Sequence, residues 1–374
     1  MIFGSQLSNY MEDISENVIK IFLVGAFTFI IAFWATPFLT HFLYKYKLWR
    51  KEVRTKSIDG REVPIFQKFH GSDEVKVPRF GGILIWAAVL FSAVLFFLLS
   101  KIFSFGWLQR LNFLSRSQTW LPLFALVAAS LVGLADDILQ VFGSPPQAFL
   151  KKIWEGKYIG GGLRLRYRLI LIALIGLIGG WWFYFKLGHN TLHVPGNGDF
   201  FIGAWYIPFF ILVMMATYSG GVIDGLDGLA GGVFALIFTA FAGIALFQNL
   251  ADLAAFCIVI TGAILAFLWF NIPPARFYMG ETGMIGLCCA LTVVAFLTDS
   301  VLVLPIIGFL LVIESGSVIL QLLSKKIRGK KLFLAAPLHH HFEAKGWPHY
   351  KITMRFWVIG IVMAIIGVAI RLLG

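Results

Sequence analysis

Long apolar runs recur along the whole chain and constrain its fold more than any other feature. A helix needs about 20 mostly apolar residues to cross the hydrocarbon of a bilayer, where it satisfies its own backbone hydrogen bonds. With 59% hydrophobic and only 13% charged residues, the chain is also far from the composition of a soluble protein. The sequence therefore predicts an all-α integral membrane protein, with residues 1–374 forming a single polytopic membrane domain. The runs that we interpret as ten transmembrane helices lie at roughly 21–44, 80–100, 117–135, 169–185, 201–223, 228–250, 253–275, 283–298, 301–323 and 356–370.

Lys and Arg residues fall mostly on one side of this predicted membrane domain. If ten helices alternate in direction, one side receives 25 of the 31 Lys and Arg residues. Because cytoplasmic loops retain basic residues, we expect that side to be cytoplasmic and both termini to lie outside. The net charge of +12 then reflects topology and does not indicate a nucleic-acid partner. The predicted cytoplasmic segments are 45–79, 136–168, 221–231, 271–283 and 324–355. On the other side, residues 186–205 predict a β-hairpin.

Four of the cytoplasmic connections carry polar residues of the kinds that catalysis uses. Singly, each has an ordinary explanation, such as a solvated helix end or a glycine-rich turn. Together they place five carboxylates and three imidazoles on one face of the membrane, which favours a shared site. The residues are Asp136 and Asp137 in "LVGLADDILQ", Asp224 and Asp227 in "GGVIDGLDGLAGG", Asn271 and Glu281 in "FNIPPARFYMGETG", and His339, His340 and His341 in "APLHHHFEAKGW".

Three consecutive histidines are the least ordinary of these features. Adjacent side chains on a helix point about 100° apart and cannot all serve one core, so we expect a loop that folds over a polar site. A zinc ion is the alternative for these residues, but consecutive histidines lack the spacing that zinc-binding histidine pairs usually have. Carboxylate oxygens, with further positions left to water and phosphate, suit Mg²⁺ better. The acids, histidines and lysines together indicate phosphoryl transfer with Mg²⁺ as cofactor.

Several motifs resemble those of the polyprenyl-phosphate N-acetylhexosamine-1-phosphate transferases. The resemblance covers most of the chain, from about Lys76 to Arg355. Its short aspartate motifs are typical of the whole family, whereas the histidine motif is similar to that of the muramoyl-pentapeptide branch. The matching strings are "DD" at 136–137, "DGLDGLA" at 224–230, "FN", "PA" and "MGE" within 269–281, "SVILQ" at 317–321, "APLHHHFEAKGW" at 336–347 and "RFW" at 355–357.

This resemblance implies a ten-helix fold in a bacterial inner membrane, commonly a homodimer, with a cytosolic active site. It implies transfer of phospho-N-acetylmuramoyl-pentapeptide from UDP-N-acetylmuramoyl-pentapeptide to undecaprenyl phosphate, with release of UMP. A different UDP-sugar donor is the alternative, because Arg79 is reminiscent of the hexosamine branch. An ion-coupled transporter is a less favoured alternative, suggested by Glu314 deep in the ninth run. The ordinary explanation of Glu314 is a carboxylate that is paired or protonated inside the bundle.

By the same resemblance, each candidate residue has an implied role. Asp136 and Asp137 are the catalytic aspartate pair, and Asp137 and Glu281 hold the metal ion. The further residues implied in catalysis are Lys76, His339, His340 and His341. Those implied to bind the substrate are Asp224, Asp227, Asn271 and Gln321.

The chain departs from the family pattern at several positions around these residues. Glu281 replaces an aspartate, which moves the carboxylate oxygens outward by one methylene group. Arg79 replaces a threonine and Arg168 replaces a lysine, while Tyr218 and Gly221 stand in place of asparagines. Arginine and lysine differ in hydrogen-bond geometry, so the second exchange preserves only the charge.

Overall fold

Helices account for most of the computed structural model, which describes residues 2–51, 53, 75–114, 117–143 and 162–374. Within these ranges, nine helices are long and apolar enough to cross a membrane, which confirms the predicted all-α integral membrane fold. Short 3₁₀ turns at Gly203–Trp205 and Gly220–Ile223 flank the sixth helix. The helices are α1 (Ile2–Lys45), α2 (Gly82–Ile102), α3 (Gly106–Leu111), α4 (Ser117–Phe142), α5 (Leu165–Phe185), α6 (Tyr206–Ser219), α7 (Leu229–Phe247), α8 (Ala251–Asn271), α9 (Gly280–Leu297), α10 (Leu304–Ile307), α11 (Phe309–Arg328), α12 (Leu338–Ala344) and α13 (His349–Leu373).

The ninth predicted span differs from expectation. Its apolar run, 301–323, is divided at Gly308 between the one-turn helix α10 and the longer α11. Helix α11 has a basic last turn, so its composition departs from that of the other spans. Its buried residues are apolar at the start of the helix and polar from Glu314 onward, namely Leu310, Leu311, Glu314, Ser317, Gln321 and Ser324. Nine of the ten predicted spans are therefore long and apolar enough to cross a membrane in the described part of the chain, and α11 is not counted with them because Glu314 and its basic last turn add charge.

Helix α4 continues beyond 135, where the third run was predicted to end. Ile138, Leu139 and Val141 maintain the apolar pattern, and the helix extends to Phe142. The aspartate pair at 136–137 therefore lies within a helix and not in the connection that follows it. The predicted cytoplasmic segments 45–79 and 136–168 lie partly outside the described residues.

The centre of the bundle is formed by α8 and α9. In the most apolar window of each helix, 78% of the residues of α8 and 94% of those of α9 are buried, against 22% in α13. Small residues let α4 approach α9 closely. A Cβ on Gly133 would overlap the backbone of Glu281, and a Cβ on Gly286 would overlap Ser130 Oγ. This packing sets the C-terminal part of α4 against the first turn of α9.

A small β-hairpin lies between α5 and α6, within the residues where the sequence predicts one. Strand β1 (Thr191–Val194) pairs antiparallel with β2 (Gly198–Phe201), and Thr191 lies opposite Phe201. His193 Nδ1 lies 2.9 Å from Asp199 Oδ1, and its Nε2 lies 2.8 Å from the carbonyl oxygen of Gly374. The hairpin is thereby joined to the end of α13.

Candidate active site

The N-terminus of α9 lies against the aspartate pair of α4. Asp137 accepts hydrogen bonds from the backbone N–H groups of Glu281 (3.2 Å) and Thr282 (2.9 Å). These amides belong to the first helical turn, where N–H groups have no acceptor within the helix. A carboxylate is a favourable cap there because its charge complements the helix dipole. Since Asp137 is fully buried, the cap fixes α4 against the start of α9.

Gly280 allows this close approach. It has a φ of +72°, a conformation that glycine adopts without strain. A Cβ at this position would overlap the carbonyl oxygen of Arg79 and crowd the Asp137 carboxylate. Two backbone hydrogen bonds, from Gly81 to Tyr278 (2.9 Å) and from Gly82 to Met279 (2.8 Å), also join the start of α2 to the segment ahead of α9.

Asp136 is linked to α9 through an arginine. Its carboxylate accepts hydrogen bonds from Gln140 Nε2 (2.6 Å) and from the backbone N–H of Leu163. Arg168 Nη1 lies 2.6 Å from Glu281 Oε1 and 3.6 Å from Asp136 Oδ2. One guanidinium thus joins two carboxylates from different helices. Asp136 is fully enclosed, whereas the side chain of Glu281 keeps 26% exposure and is accessible to a ligand.

Asp224 adds a third acidic segment to this region. It lies in the loop between the 3₁₀ turn Gly220–Ile223 and α7. Burial raises the pKa of the Asp224 carboxyl to about 6, although the charge of Arg79 lowers it and that of Glu281 raises it. Arg79 also lies near the Asp137 carboxylate. Carboxylates from three separate segments therefore share one region with two arginines.

Asp227 and Asn271 join the loop 224–228 to the segment between α8 and α9. Asp227 Oδ2 accepts the backbone N–H of Ala275 at 3.0 Å. The buried Asn271 accepts the N–H of Gly228 through Oδ1 (3.0 Å) and donates through Nδ2 to the carbonyl of Phe277 (2.8 Å). Both polar groups of Asn271 are thus used by the backbone, and they hold the two connections together.

The three histidines lie on the short helix α12 and not on a loop. Their rings have different partners, as expected for adjacent helical positions that point in different directions. His339 is fully buried, with its Nδ1 3.0 Å from Glu314 Oε2, and its backbone N–H donates to Glu314 Oε1 at 3.1 Å. A Cβ on Gly225 would overlap Nε2 of His339, so α12 packs directly on the loop 224–228.

The other two histidines are only partly buried. His340 Nδ1 lies 2.8 Å from Glu343 Oε2, and His349 Nε2 lies 2.5 Å from Glu343 Oε1. His341 Nδ1 accepts the backbone N–H of Leu334 at 3.2 Å, which assigns the ring proton to Nε2. Burial lowers the pKa of His341, and the charge of Lys345 lowers it further. Because Nδ1 accepts the N–H of Leu334, His341 presents an N–H donor at Nε2.

Gln321 and Lys76 are placed differently from the other candidates. Gln321 accepts the backbone N–H groups of Leu332 and Phe333, both at 2.9 Å, and donates to the carbonyl of Phe333 at 3.0 Å. It therefore holds the segment that leads to the histidine helix. Lys76 is exposed ahead of α2, and within the described ranges no hydrogen bond joins it to the carboxylates.

Two oxygen donors at the start of α9 fit a magnesium ion. Across the residues that the structure describes, no group of three or more His, Cys, Asp or Glu side chains is arranged to hold a metal ion alone. Zinc uses such a cluster, whereas Mg²⁺ needs one or two carboxylates because phosphate and water complete its coordination. Asp137 contacts the first turn of α9, and Glu281 belongs to that turn and remains partly exposed. The donor set therefore suits Mg²⁺ together with a phosphorylated substrate.

Sequence reasoning missed some of the residues that complete this arrangement. Gln140 follows Asp136 by four residues and Glu343 follows His340 by three, and these spacings place the side chains on one helix face. Both could have been recognised from the sequence. His349 carries no such signal, because its contact with Glu343 depends on how α12 and α13 pack.

Glu314 is paired inside the bundle, which leaves the transporter alternative without its supporting residue.

Comparisons with known proteins agree with the resemblance found in the motifs. Residues 119–299 match the model of glycosyl transferase family 4. The phospho-N-acetylmuramoyl-pentapeptide-transferase of Levilactobacillus brevis is 37% identical over 67% of this chain and 73% of its own length. The enzyme of the same name from Lactiplantibacillus plantarum is 34% identical over 78% of this chain and 83% of its own. That of Pelagibacter ubique is 32% identical over 91% of this chain and 89% of its own. The chain therefore belongs to glycosyl transferase family 4, in the family of the phospho-N-acetylmuramoyl-pentapeptide-transferases.

Proposed function

We infer that this protein transfers phospho-N-acetylmuramoyl-pentapeptide from its UDP-linked donor to undecaprenyl phosphate, which forms lipid I and UMP. One observation carries this inference beyond the family relationship. Asp136, Asp137, Asp224 and Glu281 come from three separate parts of the chain and lie together with Arg79 and Arg168. The histidine helix packs on the same loop that carries Asp224. Such a mixture of acids, arginines and imidazoles suits a diphosphate substrate.

The reaction is a displacement at phosphorus. An oxygen of the lipid phosphate forms a bond to the phosphorus that carries the sugar, and the bond between that phosphorus and the UMP oxygen breaks. Because the second ionisation of a phosphate monoester has a pKa of about 6, the attacking lipid phosphate is mostly a dianion at neutral pH. The protein therefore need not remove a proton from it. Its residues orient the two phosphates and stabilise the charge on the departing UMP.

The arginines supply positive charge for the diphosphate, and the partly buried histidines supply hydrogen-bond donors. Arg168 is held by Asp136 and Glu281, so its guanidinium is oriented before substrate arrives. The Nε2–H of His341 is a further donor on the surface of α12. In this partly dry region, fixed donors interact more strongly with a diphosphate than they would in water.

Mg²⁺ would be held by Asp137 and Glu281 at the start of α9. Bound there, it would neutralise charge on the diphosphate. Asp224, in the adjacent loop, would orient the nucleotide or complete the ligand set through water. The longer side chain of Glu281 reaches further from its backbone than the aspartate of the family pattern, and Arg168 limits its freedom.

The membrane-spanning helices around the site suit an acceptor that is itself a membrane lipid. The helices are those of a multi-pass membrane protein, and relatives of the chain are bacterial. We propose that the protein lies in the bacterial cytoplasmic membrane, and, as the family resemblance implies, that it is a homodimer with its active site on the cytosolic side. The long apolar tail of undecaprenyl phosphate would remain among the lipid chains while its phosphate reaches the carboxylates.

A donor comparison tests the proposal. Purified protein in detergent is given undecaprenyl phosphate and Mg²⁺ with either UDP-N-acetylmuramoyl-pentapeptide or UDP-N-acetylglucosamine. We expect a lipid product of the mass of lipid I and stoichiometric UMP with the first donor, and loss of both when EDTA removes the metal. Because Arg79 motivates the second donor, turnover with UDP-N-acetylglucosamine alone would change the assigned sugar. Absence of UMP with both donors would refute the transfer reaction.

A further inference from the structure

Glu314 is a buried acid that the transfer reaction described above does not use. It lies on the polar face of α11, and both Glu314 and His339 are fully enclosed. A carboxylate in such surroundings needs hydrogen-bond partners to compensate for its lost hydration. Its two oxygens contact the same residue, since Oε1 accepts the backbone N–H of His339 and Oε2 contacts the ring Nδ1.

The sequence at the start of α12 explains why an acid from another helix is needed there. Pro337 occupies the N-cap position and forms no side-chain hydrogen bond to the helix. The first-turn N–H groups consequently require acceptors from elsewhere. Glu314 provides one of them, so α11 caps the histidine helix.

The same carboxylate fixes the orientation of the His339 ring. Nδ1 and Oε2 lie 3.0 Å apart, and this contact directs Nε2 away from Glu314. Nε2 is buried and has no hydrogen-bond partner among the residues that the structure describes. It packs against Gly225, where a Cβ would overlap it. The ring therefore contacts the loop 224–228 by close packing and not through a hydrogen bond of Nε2.

Helix α11 also packs against the 3₁₀ turn that precedes that loop. A Cβ on Gly220 would come within 2.7 Å of Leu311 Cβ, so the 3₁₀ turn ahead of Asp224 rests on α11. Leu311 and Glu314 are three residues apart and lie on the same face of the helix. One face of α11 thus contacts both the loop that carries Asp224 and the helix that carries the histidines.

We propose that Glu314 is a positioning residue for donor binding, which holds His339 against Gly225 and so sets the separation between the loop 224–228 and the histidine helix. Both carboxylate oxygens of Glu314 are used by His339, so Glu314 acts on the site through that residue. The groups that depend on them are Asp224 and Asp227 on the loop and His340 and His341 on the helix. His339 is then also a positioning residue, unlike its two neighbours. The proposal rests on the proposed function in one respect, that the donor is a UDP-linked sugar.

Substitutions of Glu314 test this role through binding as well as turnover. The protein carrying E314A is compared with the unsubstituted protein for UDP affinity by calorimetry, for the KM of donor and acceptor, and for kcat. We expect UDP affinity to fall and the donor KM to rise by about tenfold, because small displacements of binding groups have large effects. The KM of undecaprenyl phosphate should change by less than about twofold, because the groups that Glu314 positions are those proposed to bind the donor. E314Q keeps a carbonyl acceptor and should restore most of the affinity.

A control and a double substitution separate positioning from general destabilisation. Ser317 is buried on the same face of α11, and its hydroxyl donates to the backbone carbonyl of Glu314 at 2.7 Å, so S317A is a matched control that should leave UDP affinity unchanged. If Glu314 acts mainly through the His339 ring, E314A should lower UDP affinity much less in a protein that already carries H339A, because only the cap of the backbone N–H remains to be lost there. Unchanged UDP affinity in folded E314A, or additive effects in the double variant, would overturn the proposal. Should E314A not fold, a normal UDP affinity in H339A would overturn it equally.

Failure of the proposed function would appear in a different measurement. It would show as the absence of a lipid product from the unsubstituted protein, whereas UDP affinity can be compared among the variants without turnover. The two ideas are therefore tested independently.

Discussion

The helices α9 and α12 both begin with a cap supplied by a buried carboxylate from another helix, yet their surroundings differ. At α9, Asp137 accepts two backbone amides, and the neighbouring Glu281 remains partly exposed beside Arg168. At α12, Glu314 accepts one amide and a ring nitrogen, and both residues are completely enclosed.

This difference shows that one capping interaction can serve two purposes. The cap of α9 lies where a ligand can reach the adjacent carboxylate, so the charge of Asp137 can act both on the helix and on a substrate. The cap of α12 lies behind the site, where its charge can act only on the protein. Removing charge at the two caps should therefore affect catalysis to different degrees.

The largest effect should follow from D137N, which tests this contrast directly. Asparagine keeps an oxygen that can accept an amide of α9, but it lacks the charge proposed to hold a metal ion beside the diphosphate. We expect kcat to fall by about 100-fold or more, compared with less than about tenfold for the equivalent amide substitution E314Q. Product formation is measured under saturating substrate, with thermal unfolding as a check on folding. Equal losses of kcat at the two positions would remove the distinction between them.

A smaller effect should follow from R168A, which leaves Glu281 and Asp136 without their shared cation. We expect turnover to fall by about tenfold and the free energy of unfolding by about 1–3 kcal/mol, below the cost for a wholly buried pair because Glu281 is partly exposed. R168K should recover part of both quantities, since it retains the charge but not the fork of donors. Arg166 is exposed and its guanidinium stacks over Tyr167, so R166A is the nearby control and should leave both nearly unchanged. Normal turnover in R168A would show that the arginine does not orient Glu281 for catalysis.

The smallest effect concerns Asp224, which lies in the loop that both capped helices approach. Its pKa is raised to about 6 from an ordinary value of 3.8. The native state therefore binds this proton more tightly than the unfolded state does. The resulting stability is fully present below pH 3.8 and is lost as the pH rises through about 6. In EDTA, D224N should raise the Tm by about 1–3 °C at pH 7.5 and change it little near pH 4.5. A Tm difference that is the same at both pH values would contradict this account.

Much of the fold followed from local patterns. Apolar runs identified the helices because length and hydrophobicity alone decide whether a segment can span a bilayer. The ninth run is less uniform than its apolar pattern suggested, since it is divided at Gly308 and one face of α11 carries buried polar groups. The end of α4 was placed too early, because two aspartates suggested a boundary that their partners in α9 and at Leu163 make unnecessary.

The candidate site followed from the sequence only as a set of residues. The motifs identified the carboxylates and histidines, but the same letters did not reveal that Asn271 and Gln321 use their amides to hold backbone segments. They also did not reveal that the Glu314 carboxylate contacts His339, because these residues lie 25 positions apart on different helices.

The sequence by itself determined that this chain is a helical membrane protein, which transferase family its motifs resemble, and which polar residues are candidates for chemistry. These properties depend on composition, on spacing along one helix and on short motifs, all of which are local. Only the tertiary structure decided which carboxylate caps which helix and which of them a ligand can reach. Contacts such as that between Asp137 and the amide of Thr282, 145 residues apart, depend on how closely small residues let two helices pack, and no local pattern contains that information.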